Sequence, residues 1–250
     1  MRYFLDISYN GSPYHGWQRQ PNALTVQEEI ERALSTLLNR TIAITGAGRT
    51  DTGVHAKQIF AHFNFAESWD HDECKHWGHK LNRFLSGAVV INEILPVHPD
   101  AHARFDATVR SYEYIIATAK SPFLQEWAYE ITLPLDVEAM NTAAKTLLGK
   151  QDFKCFSKSN TDVKTYICEI TEARWKQDGN RLIFKISADR FLRNMVRAIV
   201  GTLLDIGRSK NTPEYMLDVI KSGDRGQAGA SVPAKGLYLT AVKYSKEIFI

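Results

Sequence analysis

The sequence predicts an α+β fold built from two related halves with largely antiparallel sheets, residues 1–105 and 106–250. Three observations carry this expectation. Alternating, strand-like stretches open both halves, RYFLDISY at 2–9 and RSYEYIIAT at 110–118. Each is followed by an amphipathic helix and then by further alternating segments, a β-α-β-β order with one extra helix per half. No proline- or serine-rich linker separates them, which points to one shared sheet or a close interface.

The elements follow in order. After the strand at 2–9 comes a polar and aromatic loop, NGSPYHGWQRQPNAL, rich in turn formers. Thr25, with Glu28 three residues on, is a capping-box signature, and Val26, Ile30, Ala33, Leu34, Leu37 and Leu38 form one apolar helix face. TIAIT (41–45) reads as a short β-branched strand and QIFAHFNF (58–65) as another, with the loop GAGRTDTG before it. Residues 70–85 predict a helix and 88–95 a strand, followed by the loop PVHPDAHARFDA. In the second half, Asp136 caps a helix with Met140, Ala143, Ala144 and Leu147 on its apolar face and Gly149 as its stop. YICEITEARWKQDGNRLIFKISA (166–188) predicts a hairpin turning at Asp178-Gly179. RFLRNMVRAIVGTLLDIG (190–207) predicts one long helix, TPEYMLDVIKSG a shorter one, and GLYLTAVKYS a closing strand.

Composition narrows the classes. A chain of 250 residues, 44% hydrophobic and 24% charged, is long enough to bury a substantial core. It has no apolar run able to span a bilayer, and its start lacks the apolar core of a signal peptide, so a cytoplasmic protein is expected. Cys74, Cys155 and Cys168 are odd in number and form no metal-like array, which suits buried thiols in a reducing compartment. The segment HDECKHWGHK offers His71, Cys74, His76 and His79, but their spacing fits no common zinc finger. A net charge of +3 does not by itself identify a polyanion partner; the placement of the arginines matters more.

The loop GAGRTDTGVHA admits three readings. A dinucleotide loop needs G-x-G-x-x-G followed by a helix, whereas here the spacing differs and a strand follows. No Walker motif occurs. An aspartic protease needs two D-T-G loops sharing one proton, and this chain has one, with Arg49 beside Asp51 favouring the ionised state. The third reading is a turn in which glycines permit positive φ and Asp51 caps backbone N–H groups.

Other stretches add to this. YNGSPYHGWQRQ…TVQEEIERAL (9–34), GRTDTGVHA (48–56), HARFDATVRSYEYII (102–116), FLRNMVRAIVG (191–201) and VPAKGLYLTAV (232–242) together resemble the TruA family of tRNA pseudouridine synthases, across nearly the whole chain. The resemblance implies two ferredoxin-like subdomains sharing an extended, mainly antiparallel sheet around a basic cleft. The first would carry the catalytic aspartate loop and the second would complete the cleft. It also implies a homodimer that binds tRNA, no metal or organic cofactor, and isomerisation of uridine to pseudouridine in the anticodon stem-loop, at roughly positions 38 to 40, a target read by shape more than by sequence.

The resemblance assigns roles. Asp51 matches the catalytic aspartate, which must be ionised either to attack C1′ or to remove the 2′ hydrogen on a glycal route. Arg197 is placed against Asp51, opposing the rise in pKa that burial would cause. Arg49 matches the residue that fills the gap left by a flipped base. Tyr112 matches the active-site tyrosine, with Tyr114, two residues on and facing the same side, as its competitor. Leu237 forms an apolar wall behind the base. Arg190, Arg193 and Arg197 lie at i, i+3 and i+7 of the expected long helix and suggest a basic stripe. Arg104, Arg110 and Lys57 are candidate phosphate contacts, and Trp17, Gln18 and Arg19 are expected to shape the cleft or touch RNA. The chain departs from the family pattern at Gln151, where histidine is usual, at Tyr14, where phenylalanine is common, and at Asn10, where aspartate is. Two rivals remain at this level: a tRNA-binding chaperone of the same fold, and a synthase of the same family acting on other uridines.

Overall fold

The computed structural model describes residues 1–158 and 163–250. In chain order the elements are β1 (Arg2–Tyr9), α1 (Val26–Leu37), β2 (Thr45–Gly46), β3 (His55–Asn64), α2 (His71–Phe84), β4 (Val89–Val97), β5 (Val109–Ala117), β6 (Tyr129–Glu130), α3 (Val137–Lys145), β7 (Gly149–Asp152), β8 (Ile167–Asp178), β9 (Arg181–Ala188), α4 (Met195–Gly207), α5 (Tyr215–Ser222) and β10 (Leu237–Lys243). The fold class is α+β, as the pattern predicts.

Two compact units are present. Residues 1–108 and 238–250 form the first, and residues 109–237 the second. The alternation of GLYLTAVKYS identifies a strand but not its partner. A division at 105 assigns it to the second half, whereas β10 pairs in parallel with β3 through Tyr238↔His55 and Leu239↔Ala56 and from Tyr238 onward lies in the first unit.

In the first unit the elements run β-α-β-β-α-β, and the strands lie in the order β4-β1-β3, with β2 beside β3. This is the split βαβ arrangement of ferredoxin-like domains. β1 pairs antiparallel with both β3 and β4, and its Tyr3, Phe4, Leu5 and Ile7 have no exposed surface. Tyr3 packs on Trp69 at 4.8 Å, while on the opposite face Phe4 meets the edges of Tyr244 and Phe249. α1 starts where expected, with Glu28 N–H donating to Thr25 Oγ1 at 3.3 Å. α2 carries a reciprocal capping box between Asp70 and Glu73.

The expected strand at 41–45 is reduced to Thr45–Gly46. The cause is competition from side chains of α1. Ile42 N–H donates to Ser35 Oγ at 2.9 Å and Ile44 N–H to Glu31 Oε1 at 3.0 Å, so side chains of α1 take the hydrogen bonds a neighbouring strand would have supplied. Ile42 and Ile44 are nonetheless buried, which is what the β-branched pattern reports.

In the second unit the strands lie in the order β5-β9-β8-β7, antiparallel between β5 and β9, β9 and β8, and β8 and β7, with β6 parallel to β5. The sequence β5-α3-β8-β9 repeats the neighbour relation of β1-α1-β2-β3 in the first unit. The hairpin between β8 and β9 turns on Gly179 and Asn180, with Asp178 paired to Arg181, one residue later than the D-G signal suggests. Asp136 caps α3 by accepting from Ala139 N–H at 2.9 Å, and Met140, Ala143, Ala144 and Leu147 are fully buried.

The long helix expected over 190–207 begins only at Met195. Asn194 adopts a left-handed conformation (φ 67°), and its amide donates to Ser231 Oγ at 2.6 Å, an arrangement that no α-helix can continue through. Arg190 N–H bonds to Asp189 Oδ1 at 2.7 Å, in a turn leaving β9. The i, i+3, i+7 stripe of Arg190, Arg193 and Arg197 therefore does not exist as a helix face; only Arg197 is helical.

Candidate active site

The aspartate loop runs from Ala47 to Val54, between β2 and β3. Ala47 N–H donates to the Phe60 carbonyl at 2.7 Å and closes its base. Val54 N–H donates to the Asp51 carbonyl at 3.1 Å, and Gly53 takes φ 76°, so the chain reverses directly after Asp51. Asp51 is half-buried and Arg49 exposed, while Thr50 between them is buried. Alternate residues of this turn thus face opposite ways.

A second loop, from Asn10 to Leu24, braces the first. Thr50 Oγ1 shares a 2.7 Å hydrogen bond with Tyr9 OH, and Trp17 N–H donates to the Thr50 carbonyl at 3.2 Å. Gly11 N–H donates to His55 Nδ1 at 3.1 Å, which requires that nitrogen to be unprotonated, and the His55 ring stacks on Tyr238 at 4.6 Å. The backbones touch. A Cβ on Gly11 would lie 2.0 Å from the Val54 carbonyl oxygen, and one on Gly16 (φ 94°) 2.6 Å from that of Thr50. The two motifs YNGSPYHGW and GRTDTGVHA are therefore halves of one interlocked structure.

The second unit carries its own network. Tyr112 on β5 is half-buried and meets Phe191 edge-on at 5.1 Å. Tyr114 is fully buried; its hydroxyl donates to the Pro233 carbonyl at 2.8 Å, and burial pushes its pKa up. Arg197 on α4 is half-buried and donates through Nε to the Val232 carbonyl at 2.7 Å, which fixes the plane of its guanidinium. Tyr114 and Arg197 thus both hold the segment Val232–Pro233, which leads to the buried Leu237.

A family model described as tRNA pseudouridine synthase matches residues 143–245. Three proteins named tRNA pseudouridine synthase A are similar over almost the whole chain. That of Parabacteroides distasonis is 50% identical over 99% of this chain and 98% of its own length. That of Bacteroides fragilis is 49% identical, with the same coverage, and that of Porphyromonas gingivalis is 46% identical over 100% of this chain and 99% of its own length. The chain belongs to the tRNA pseudouridine synthase family.

Within this synthase, Arg49, Asp51, Lys57, Gln18 and Arg19 belong to the first unit. Lys57 is exposed, with its ammonium 5.6 Å from the Tyr238 ring. Gln18 is exposed; Arg19 is too, and it faces Glu31 at 3.6 Å and Glu28 at 3.9 Å, while Trp17 is only 2% exposed and serves packing rather than contact. Arg104 is exposed on the turn after β4. In the second unit Arg110 donates through Nη1 to the Asp189 carbonyl at 2.8 Å, and Arg193 is exposed.

The departures from the family pattern have local explanations. Gln151 donates to the carbonyls of Thr146 and Leu148, both at 2.9 Å, and so caps the C-terminal end of α3. Tyr14 is buried, with its hydroxyl on Glu29 Oε2 at 2.5 Å; burial pushes that hydroxyl up to about 12. Asn10 Oδ1 accepts from Ser12 N–H at 3.0 Å, as an aspartate would. Cys74 is buried while His71, His76 and His79 are exposed, so these four do not converge on one point. All three cysteines are buried and none is in a disulfide.

What sequence reading missed are the residues that position the loop: Tyr9, Gly11, Gly16 and His55. The signal was available in the glycines of the first motif, which a turn-rich loop alone does not require.

Proposed function

We propose that this synthase converts uridine to pseudouridine in tRNA, at roughly positions 38 to 40 of the anticodon arm, with Asp51 as its catalytic carboxylate. The observation that carries the assignment is the bracing of Asp51: a half-buried carboxylate next to Thr50, which is held by Tyr9 OH and Trp17 N–H, on a loop followed at once by His55, which is held by Gly11 N–H. Such fixing is what a reaction dependent on the direction of one carboxylate needs.

The reaction breaks the C1′–N1 bond, turns the uracil, and joins C1′ to C5. N1 gains a proton and C5 loses one, so no redox partner is required. Asp51 must be ionised, as nucleophile at C1′ or as base at the 2′ carbon. The uridine is flipped out to be reached, and Arg49, exposed at the tip of the same loop, is assigned to fill the vacated stack. Tyr112 is assigned to the base and Tyr114 is not, because its hydroxyl is committed to Pro233. Arg197 and Leu237 are assigned from the family pattern to carboxylate pairing and to the apolar wall. Arg104, Arg110, Lys57, Arg190, Arg193, Gln18 and Arg19 are assigned to RNA contacts, now as separate points rather than a helical stripe. We assign a homodimer and a cytoplasmic location on the same resemblance.

Incubation with tRNA carrying 5-tritiated uridine tests this, since isomerisation releases tritium without any additive. Asp51→Asn is expected to abolish release and retain tRNA binding. Release at the wild-type rate from Asp51→Asn would remove Asp51 from the mechanism, and no release from any wild-type reaction would favour a tRNA chaperone.

A further inference from the structure

Phe105 is 73% exposed, the most exposed large apolar side chain among the described residues of the first unit. It is not on a loose tail. His102 N–H donates to Asp106 Oδ2 at 2.7 Å, and Asp106 N–H returns to the His102 carbonyl at 3.1 Å. His102 Nδ1 accepts from Arg104 N–H at 3.1 Å and from Phe105 N–H at 3.4 Å. Two outside anchors hold the turn: Ala103 N–H donates to His62 Nδ1 at 3.1 Å, and Tyr244 OH donates to the Ala103 carbonyl at 2.6 Å. The turn therefore spends its polar groups on holding an aromatic ring in water.

Two planar groups flank the ring. The Arg104 guanidinium lies 5.7 Å from its centroid, and the His102 ring lies 4.2 Å away on a tilted plane. Arg2 donates to the Ala101 carbonyl at 2.9 Å and adds a cation where the turn begins, while Asp106 is tied to His102. An exposed ring beside a guanidinium is the combination that stacks a base and pairs its phosphate. A protein partner is a poorer fit, because a stable protein interface buries on the order of 1,000 Å² and one phenylalanine supplies about 200 Å².

We propose that Phe105 is a stacking platform for an unpaired nucleobase of the substrate tRNA, with Arg104 contacting the adjoining phosphate. This rests on the tRNA substrate assigned above. The stacked base is not the reacting uridine. The turn is anchored at His62, and the aspartate loop joins the same strand at His55; seven residues of strand separate them by about 24 Å. The contact thus reads a second point on the RNA.

The test is equilibrium binding of an unmodified tRNA transcript at several salt concentrations, with thermal melting and sedimentation of each variant as controls. Phe105→Ala and Phe105→Leu are expected to raise Kd about tenfold without changing the salt slope, and Phe105→Trp to restore affinity. In the Phe105→Trp variant, added tRNA should quench more fluorescence than in the wild type. Arg104→Gln should lower the slope by about one. Wild-type affinity in Phe105→Leu would overturn the proposal, since a leucine keeps the apolar surface and lacks the π face. So would an altered sedimentation coefficient in Phe105→Ala, which would make the ring a protein contact. A wild type that binds tRNA but releases no tritium would sink the synthase reading and leave these binding comparisons to be scored separately.

Discussion

Replacing Gly11 with alanine tests whether the loop from Asn10 to Leu24 positions the aspartate. The new Cβ would lie 2.0 Å from the Val54 carbonyl oxygen and 2.6 Å from its carbon, both backbone atoms that no rotamer change can move aside. Reaching ordinary contact at 3.4 Å requires the two backbones to separate by 1.4 Å. Val54 is bonded to the Asp51 carbonyl, and Gly11 to His55, so the displacement passes into the turn that presents the carboxylate. A misplacement of about 1 Å costs on the order of 100-fold in rate, and forced overpacking costs about 1–3 kcal/mol in stability. Gly11→Ala is therefore expected to lower single-turnover tritium release about 100-fold, with a measurable fall in melting temperature and tRNA affinity within about threefold, since phosphate contacts dominate binding. Gly48→Ala, in the aspartate loop itself, is the control: nothing lies within 4 Å of its Cβ, and it should behave like wild type. A Gly11→Ala enzyme turning over within about threefold of wild type would refute the bracing argument.

Two further outcomes follow from the same geometry. His62 is buried, and burial, helped by the charges of His102 and Arg2 and opposed by Asp106, pushes its pKa down to about 4. Between the ordinary 6.5 and about 4 the unfolded chain takes up a proton that the folded chain refuses. Stability present above pH 6.5 is therefore lost as pH falls towards 4, by up to about 3 kcal/mol. Urea midpoints at pH 7 and pH 4.5 should differ more for wild type than for His62→Phe, and equal differences would contradict it. At the tyrosine pair, Tyr114→Phe loses the bond to Pro233 and should cost about 1 kcal/mol of stability. Tyr112→Phe should instead lower kcat about 100-fold if its hydroxyl moves a proton; the reverse pattern in melting and tritium-release assays would exchange the two roles.

Much of the fold was legible because its signals are local. Thr25 and Asp136 mark helix starts through their own side chains, and β1 and β5 announce themselves by alternation. The errors came where a distant partner outcompeted a local preference. Ser35 and Glu31 took the backbone donors of Ile42 and Ile44 and left no strand there. Ser231 held the amide of Asn194 and ended the helix expected to carry three arginines. Periodicity cannot register either event, because in each the deciding atom lies several to several tens of residues away.

At the candidate site the same division holds. The kinds of groups on offer can be read from the residues alone: an aspartate beside an arginine, a tyrosine on a strand and an arginine in an apolar helix, in the order of one family. How they are held depends on contacts that no one segment contains. The fold placed Gly11 and Gly16 against the aspartate loop, gave the hydroxyl of Tyr114 to Pro233, joined the closing strand β10 to β3, and set Phe105 on a closed turn in water. Residue identity states which groups a chain can offer; which of them are spent on its own backbone depends on contacts between segments far apart in sequence.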